Sequence, residues 1–126
     1  MNTILDKFNE IVLKQGDAIA LKEKNRHLTF TELNNESNKV ASYLINNGLE
    51  KGGFVAIYLK RSIDTVISLL GIIKAGGVYV SLDPSHPNER NSYIINDIHT
   101  SFIITNAGAA QNLRSLQLDS AMNILQ

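Results

Sequence analysis

A chain of 126 residues, 44% of them hydrophobic, is long enough for one small domain with a buried core. Twelve Lys and Arg balance twelve Asp and Glu, so the zero net charge gives no basis for nucleic acid or an anionic membrane as partner. The absence of Cys excludes disulfides, a thiol nucleophile and thiolate metal sites, and the absence of Trp leaves little for base stacking.

Ile4, Leu5, Phe8, Ile11 and Val12 recur at helical spacing and predict a helix from about Thr3 to Lys14, ended by Gly16. Asp6, Lys7 and Glu10 within it break any leader-type apolar stretch. Ala18 to Leu21 and His27 to Thr29 read as two short strands around the turn Glu23-Lys24-Asn25-Arg26. Thr29 stands three residues before Glu32, a capping-box spacing. The helix it starts carries Phe30, Leu33, Ser37, Val40, Ala41, Leu44 and Ile45 on one face and ends at Gly48.

After Gly52-Gly53, the run Phe54 to Tyr58 predicts a strand buried on both faces. Ser62 is the expected cap of a helix from Ile63 to Ala75, apolar nearly all round and therefore heavily buried. Gly76-Gly77 ends it, and Val78 to Leu82 follows as a strand in which Tyr79 and Val80 are expected to be buried. Pro87 opens a helix to about Asp97, and Phe102 to Thr105 is a further strand. The tail gives a short helix from Ala107 to Leu116 and a strand near Ala121 to Leu125. Strands alternating with helices across short turns imply right-handed crossovers: an α/β fold of parallel-sheet layers with flanking helices. The longest apolar run, Val66 to Ala75, is interrupted by Ser68, Gly71 and Lys74 and is far short of the ~20 residues of a membrane span. The expected location is cytoplasmic.

Residue patterns that carry chemistry are few. Gly71 to Gly77 has the glycine spacing of a phosphate loop, but lacks its Lys-Ser/Thr pair and lies at the C-terminal end of a helix, where the dipole repels phosphate. Ser81, Asp83, Ser85 and His86 have the composition of a hydrolytic triad, yet neighbours in one loop read as polar turn residues. His27, His86 and His99 have no metal-ligand spacing. Asp64 and Glu89 fit helix starts, and Lys60-Arg61 fits a solvated strand end. Spacing alone therefore gives an α/β layer structure without a self-contained active site.

Two motifs go further. Leu28-Thr29-Phe30-Thr31-Glu32-Leu33 resembles the L-T-Y-x-E-L motif of adenylate-forming enzymes, and Ile73 to Pro84, IKAGGVYVSLDP, resembles their L-K-A-G-x-A-Y-V-P-L-D-P motif. Phe8, Asp17 to Leu21, Val55 to Ile57, Pro87-Asn88-Glu89-Arg90 and Ile103 to Thr105 agree with that family in order and spacing. By pattern the chain is most similar to adenylation domains of nonribosomal peptide synthetases, with acyl-CoA ligases and the ligase that loads D-alanine on a carrier protein sharing the fold. Ser81, Gly53, Gly16 and His86 depart from the residues the family prefers, which are Pro, Asp, Pro and an aromatic.

The resemblance implies an enzyme family that activates an amino acid or other carboxylate with ATP and Mg to an acyl-adenylate, then passes the acyl group to a phosphopantetheine or CoA thiol. It also implies that the phosphate loop, the ribose-binding Asp, the substrate pocket and the catalytic Lys lie beyond Gln126. The expectation is that residues 1–126 are an incomplete N-terminal portion of an adenylation domain, inactive alone and holding no cofactor itself. Its expected partners are the remainder of the domain or a complementing chain, and a carrier protein in the full-length family. Asp83, Pro84 and Ser85 are the positions that the resemblance brings near the thiol's approach. With Met1 just before the first family helix, the expected parent is a free-standing ligase or the opening module of a synthetase. The alternative is a non-catalytic α/β module that docks a partner, or a second copy, through an open sheet edge. An independent nucleotide-binding domain fits poorly, because no Gly-rich loop follows a strand and opens a helix.

Overall fold

A computed structural model describes residues 4–98, 100, 102–106, 109 and 123–125. In chain order the elements are α1 (Ile4–Gln15), β1 (Ile19–Glu23), β2 (Arg26–Thr29), α2 (Phe30–Asn46), β3 (Phe54–Tyr58), α3 (Ile63–Lys74), β4 (Val78–Leu82), α4 (Asn88–Ile98), β5 (Phe102–Ile104) and β6 (Asn123–Leu125). The expected helix from Ala107 to Leu116 lies, apart from Ala109, outside the described residues.

The first two strands form an antiparallel hairpin that turns at Lys24-Asn25, with Glu23 opposite Arg26. Both strands run past their apolar residues, because pairing continues through the polar tip. The capping box forms as its spacing demands. The Thr29 hydroxyl accepts from the Glu32 amide at 3.1 Å, and the Thr29 amide donates to Glu32 Oε1 at 2.9 Å. The Thr29 amide holds the Glu32 carboxyl below its ordinary value.

The α3 start differs from expectation. Ser62 occupies the cap position, but its side chain makes no cap bond. Instead Glu23 Oε1, from the hairpin tip, accepts the Ile63 amide. Beside it, Arg26 reaches Asp64 at 2.8 Å. The hairpin thus supplies negative charge where the helix dipole favours it.

Four strands form the main sheet in the order β4-β3-β5-β6, every neighbouring pair parallel. Side chains alternate along β3. Val55 and Ile57 face Leu44 and Ile72 of the α2 and α3 layer, while Ala56 and Tyr58 face Ile95 of α4. Burial on both sides explains the unbroken apolar run. Two threonines fix β5 alongside β3: Thr100 Oγ1 donates to the Phe54 carbonyl at 2.6 Å, and Thr105 Oγ1 to the Tyr58 carbonyl at 2.8 Å. A third cluster, with Phe8, Leu28, Leu33, Ile67 and Leu70, joins α1 and the hairpin to α2 and α3.

Strand β4 corrects the expectation that Tyr79 is buried. It lies at the sheet edge, where Val78 is 44% and Tyr79 42% exposed and Val80 only partly covered. An apolar run looks the same in a central strand and in an edge strand.

Helices α2 and α3 approach closely at Gly71. A Cβ there would stand 2.5 Å from the Val40 side chain and 3.0 Å from the Ser37 carbonyl oxygen. Five residues on, Gly76 ends the helix with φ +83°, open to glycine at no steric cost. Gly71→Ala is therefore expected to destabilise the fold by about 1–3 kcal/mol through overpacking. A fall in the urea midpoint at unchanged slope checks this; an unchanged midpoint contradicts it.

Candidate functional site

The strand order reverses between β3 and β5. From β3 the chain crosses through α3 to β4 on one side, then returns through α4 to β5 on the other. In open α/β sheets ligands bind at such a switch point, beyond the carboxyl ends of the strands. Here that end carries the segment 59–62 after β3, the loop 83–87 after β4, and Thr105-Asn106 after β5.

A cleft of about 400 Å³ opens there between α2 and α3, with Leu59, Ile67 and Ile104 in its lining and Tyr43 and Asn106 among its polar groups. Its two cations are both engaged: Arg26 with Asp64 at 2.8 Å and Lys39 with Glu36 at 3.4 Å. Asp64 holds the Arg26 guanidinium charged, partly opposed by desolvation. Lys60 and Arg61 are exposed on the loop beside it.

The loop after β4 contains all three sequence-derived site residues. Asp83 Oδ1 accepts from the Ser85 amide at 2.8 Å and from the Ser85 hydroxyl at 2.7 Å. The His86 amide donates to the Asp83 carbonyl at 3.0 Å. Pro84 is buried under this turn, while Asp83, Ser85 and His86 are exposed. The Ser85 donors hold the Asp83 carboxyl below its ordinary value, with His86 and Lys60 adding smaller electrostatic help. This is a side-chain-closed turn. Among the described residues no hydrogen bond joins the His86 ring to Ser81 or Ser85, so the triad composition does not assemble into a triad. His27 lies on β2, away from His86, and His99 lies outside the described residues.

Below the loop sits Asn91 of α4, 1% exposed. Its Nδ2 donates to the Asp83 carbonyl at 3.0 Å and more weakly to the His86 carbonyl at 3.5 Å. The hydroxyl of Tyr58, at the end of β3, is buried nearby. Burial pushes the Tyr58 phenol up.

The second motif's lysine has a different task. Lys74 Nζ donates at 2.8 Å to Asn34 Oδ1, Ser37 Oγ and Asn38 Oδ1, and at 3.3 Å to the Asn34 carbonyl. It also lies 5.2 Å from the Phe8 ring centroid. One ammonium thereby ties α3 to α2 and α1. Desolvation holds its pKa below the ordinary lysine value. Neither this cage nor the Glu23 cap nor Asn91 is visible in the sequence. The only signal is that Lys74 falls inside a motif. Lys74→Met leaves the Asn34, Ser37 and Asn38 oxygens without their shared donor. The expected loss is about 1–3 kcal/mol in urea denaturation, and an unchanged midpoint contradicts the stapling role.

The sequence model of AMP-binding enzymes matches residues 8–125. Bacitracin synthase 1 of Bacillus licheniformis is 40% identical over 94 residues, covering 74% of this chain and 2% of that protein. Gramicidin S synthase 1 of Brevibacillus brevis is 33% identical over 124 residues, covering 98% of this chain and 11% of that protein. The chain thus spans a small part of the length of the curated relatives it matches. Among solved structures, the N-terminal subdomain of Klebsiella oxytoca NpsA superposes on all of this chain with a TM-score of 0.80 at 26% identity, the chain covering 32% of it. Among the described residues no helix is long and apolar enough to cross a membrane.

Proposed function

The chain belongs to the AMP-binding enzyme family and corresponds to part of its N-terminal subdomain; from that membership we propose that it is the scaffold of an adenylation domain of the nonribosomal peptide synthetase type. In a complete domain this scaffold stands beside groups that activate an amino acid or another carboxylate with ATP and Mg. The acyl group then passes to a phosphopantetheine thiol, with a carrier protein as partner. On the same reading the Asp83-Pro84-Ser85 loop borders the route of the thiol. Its position beyond the carboxyl end of β4 supports this.

The 126-residue polypeptide by itself does not adenylate. The observation that carries this is how fully the motif side chains are engaged. Thr29 and Glu32 close a cap, Lys74 is held by neutral oxygens, and Asp83 is closed by Ser85. Adenylation needs donors and cations aimed at the charge that develops on the α-phosphate, and these groups point elsewhere. Amino-acid-dependent exchange of pyrophosphate into ATP is expected at background for this polypeptide. Exchange clearly above background overturns the proposal.

A second reading rests on β4. Its outer edge carries Val78, Tyr79 and Val80 without a charge or a proline, which are the usual guards of an exposed edge. In isolation this edge pairs with a second copy of the chain. Size-exclusion chromatography with light scattering is expected to show a dimer or larger species, and Tyr79→Lys a monomer. A monomeric wild type contradicts this reading and leaves the scaffold proposal standing.

A further inference from the structure

Among the described residues, two buried side-chain atoms lack a hydrogen-bond partner: Tyr58 Oη and Asn91 Oδ1. Both residues are almost wholly inaccessible, at 0% and 1% exposed. Tyr58 packs in one cluster with Ile95, one turn beyond Asn91 on α4. A buried polar atom left unpaired costs about 1–3 kcal/mol, so two in this neighbourhood demand a common solution. Their chemistry is complementary. A phenol has one proton to donate, and the Asn91 oxygen can only accept. The Asn91 Nδ2 is already committed to the Asp83 and His86 carbonyls.

We infer that Tyr58 and Asn91 form a buried polar pair, bridged by one water that takes the phenol proton and donates to the amide oxygen, and that this pair positions the Asp83-Pro84-Ser85 loop on the end of β3. Tyr58 is itself anchored, since its carbonyl accepts from Thr105 Oγ1 at 2.8 Å. The chain of contacts runs from the strand end through the phenol to the Asn91 amide, and from that amide to the backbone on either side of Pro84. Loop 83–86 is thereby held from below by α4 as well as from within by the Asp83–Ser85 bonds. Asn91 and Tyr58 are positioning residues. Neither is exposed, so neither meets a ligand itself. Their consequence for thiol approach rests on the scaffold reading above, whereas the pairing and its hold on the loop do not.

The test uses the 126-residue chain and two nearly isosteric variants, Tyr58→Phe and Asn91→Leu, with circular dichroism to establish folding. The loop is read in two ways that a change in bulk packing would not move together. One is the Asp83 titration followed by carboxyl carbon NMR, and the other is exchange of the Ser85 amide. Ser85, His86 and Lys60 are the groups that act on Asp83. If Asn91 and Tyr58 hold the loop, the Ser85 donors loosen in each variant. The Asp83 pKa then moves up toward its ordinary value, and Ser85 exchange quickens by about tenfold, the equivalent of one hydrogen bond. The double variant goes no further than the stronger single one, because both remove the same coupling. A Tyr58→Phe chain that folds with Asp83 titration and Ser85 exchange unchanged overturns the inference. So do single effects that multiply in the double variant. No catalysis enters these readouts, so failure of the thiol reading leaves them intact, and their failure leaves that reading to its own assay.

Discussion

The close approach of α2 and α3 is the constraint on which the rest of the structure depends. Gly71 removes a side chain so that Val40 can lie against the α3 backbone. Lys74, one turn on, then reaches across the same seam to three side-chain oxygens of α2. With the helices at this distance, Leu44 and Ile72 meet Val55 and Ile57 of β3 in one cluster. Phe8 reaches the other side of the pair and brings α1 with it. A wider seam would leave the lysine without its acceptors and the sheet without its cover.

This seam also gives a strongly patterned segment its structural work. Gly71, Lys74 and Gly76 lie within six positions, and each answers a packing or chain-turning need. The following strand delivers the chain to a turn closed by Asp83 and Ser85. Following the approach at Gly71, the family's second motif is therefore a continuous set of instructions: staple, stop, cross the sheet, turn out. Its residues set where the carboxyl ends of the strands stand, and those ends border the switch-point cleft.

Local features are legible in the sequence. The capping box needs only Thr29 and Glu32 three positions apart, and it forms as spaced. The burial of β3 on both faces, the glycine stop after α3 and the order of elements likewise follow from short windows, and two motifs suffice to mark the AMP-binding family. Long-range contacts are not legible. Glu23 caps a helix that begins 40 residues later, and Ser62, the better local candidate, makes no cap bond. The acceptors of Lys74 come from α2, and nothing near Lys74 announces them. Tyr79 defies its sequence pattern because hydrophobicity reports the demand for burial, while strand order decides whether cover is supplied. In the loop 83–86 the sequence points to Asp83, Pro84 and Ser85, but the residue that braces them, Asn91, comes from the next helix.

The motif residues build a frame whose anchor is the α2–α3–β3 unit. Native-state hydrogen exchange on the isolated chain tests it most directly. Amides within β3 and the second half of α3 are expected to exchange slowest, at the rate set by global unfolding, while those of α1 open earlier. Exchange of the β3 and α3 amides as fast as those of α1, well below the global stability, would contradict it.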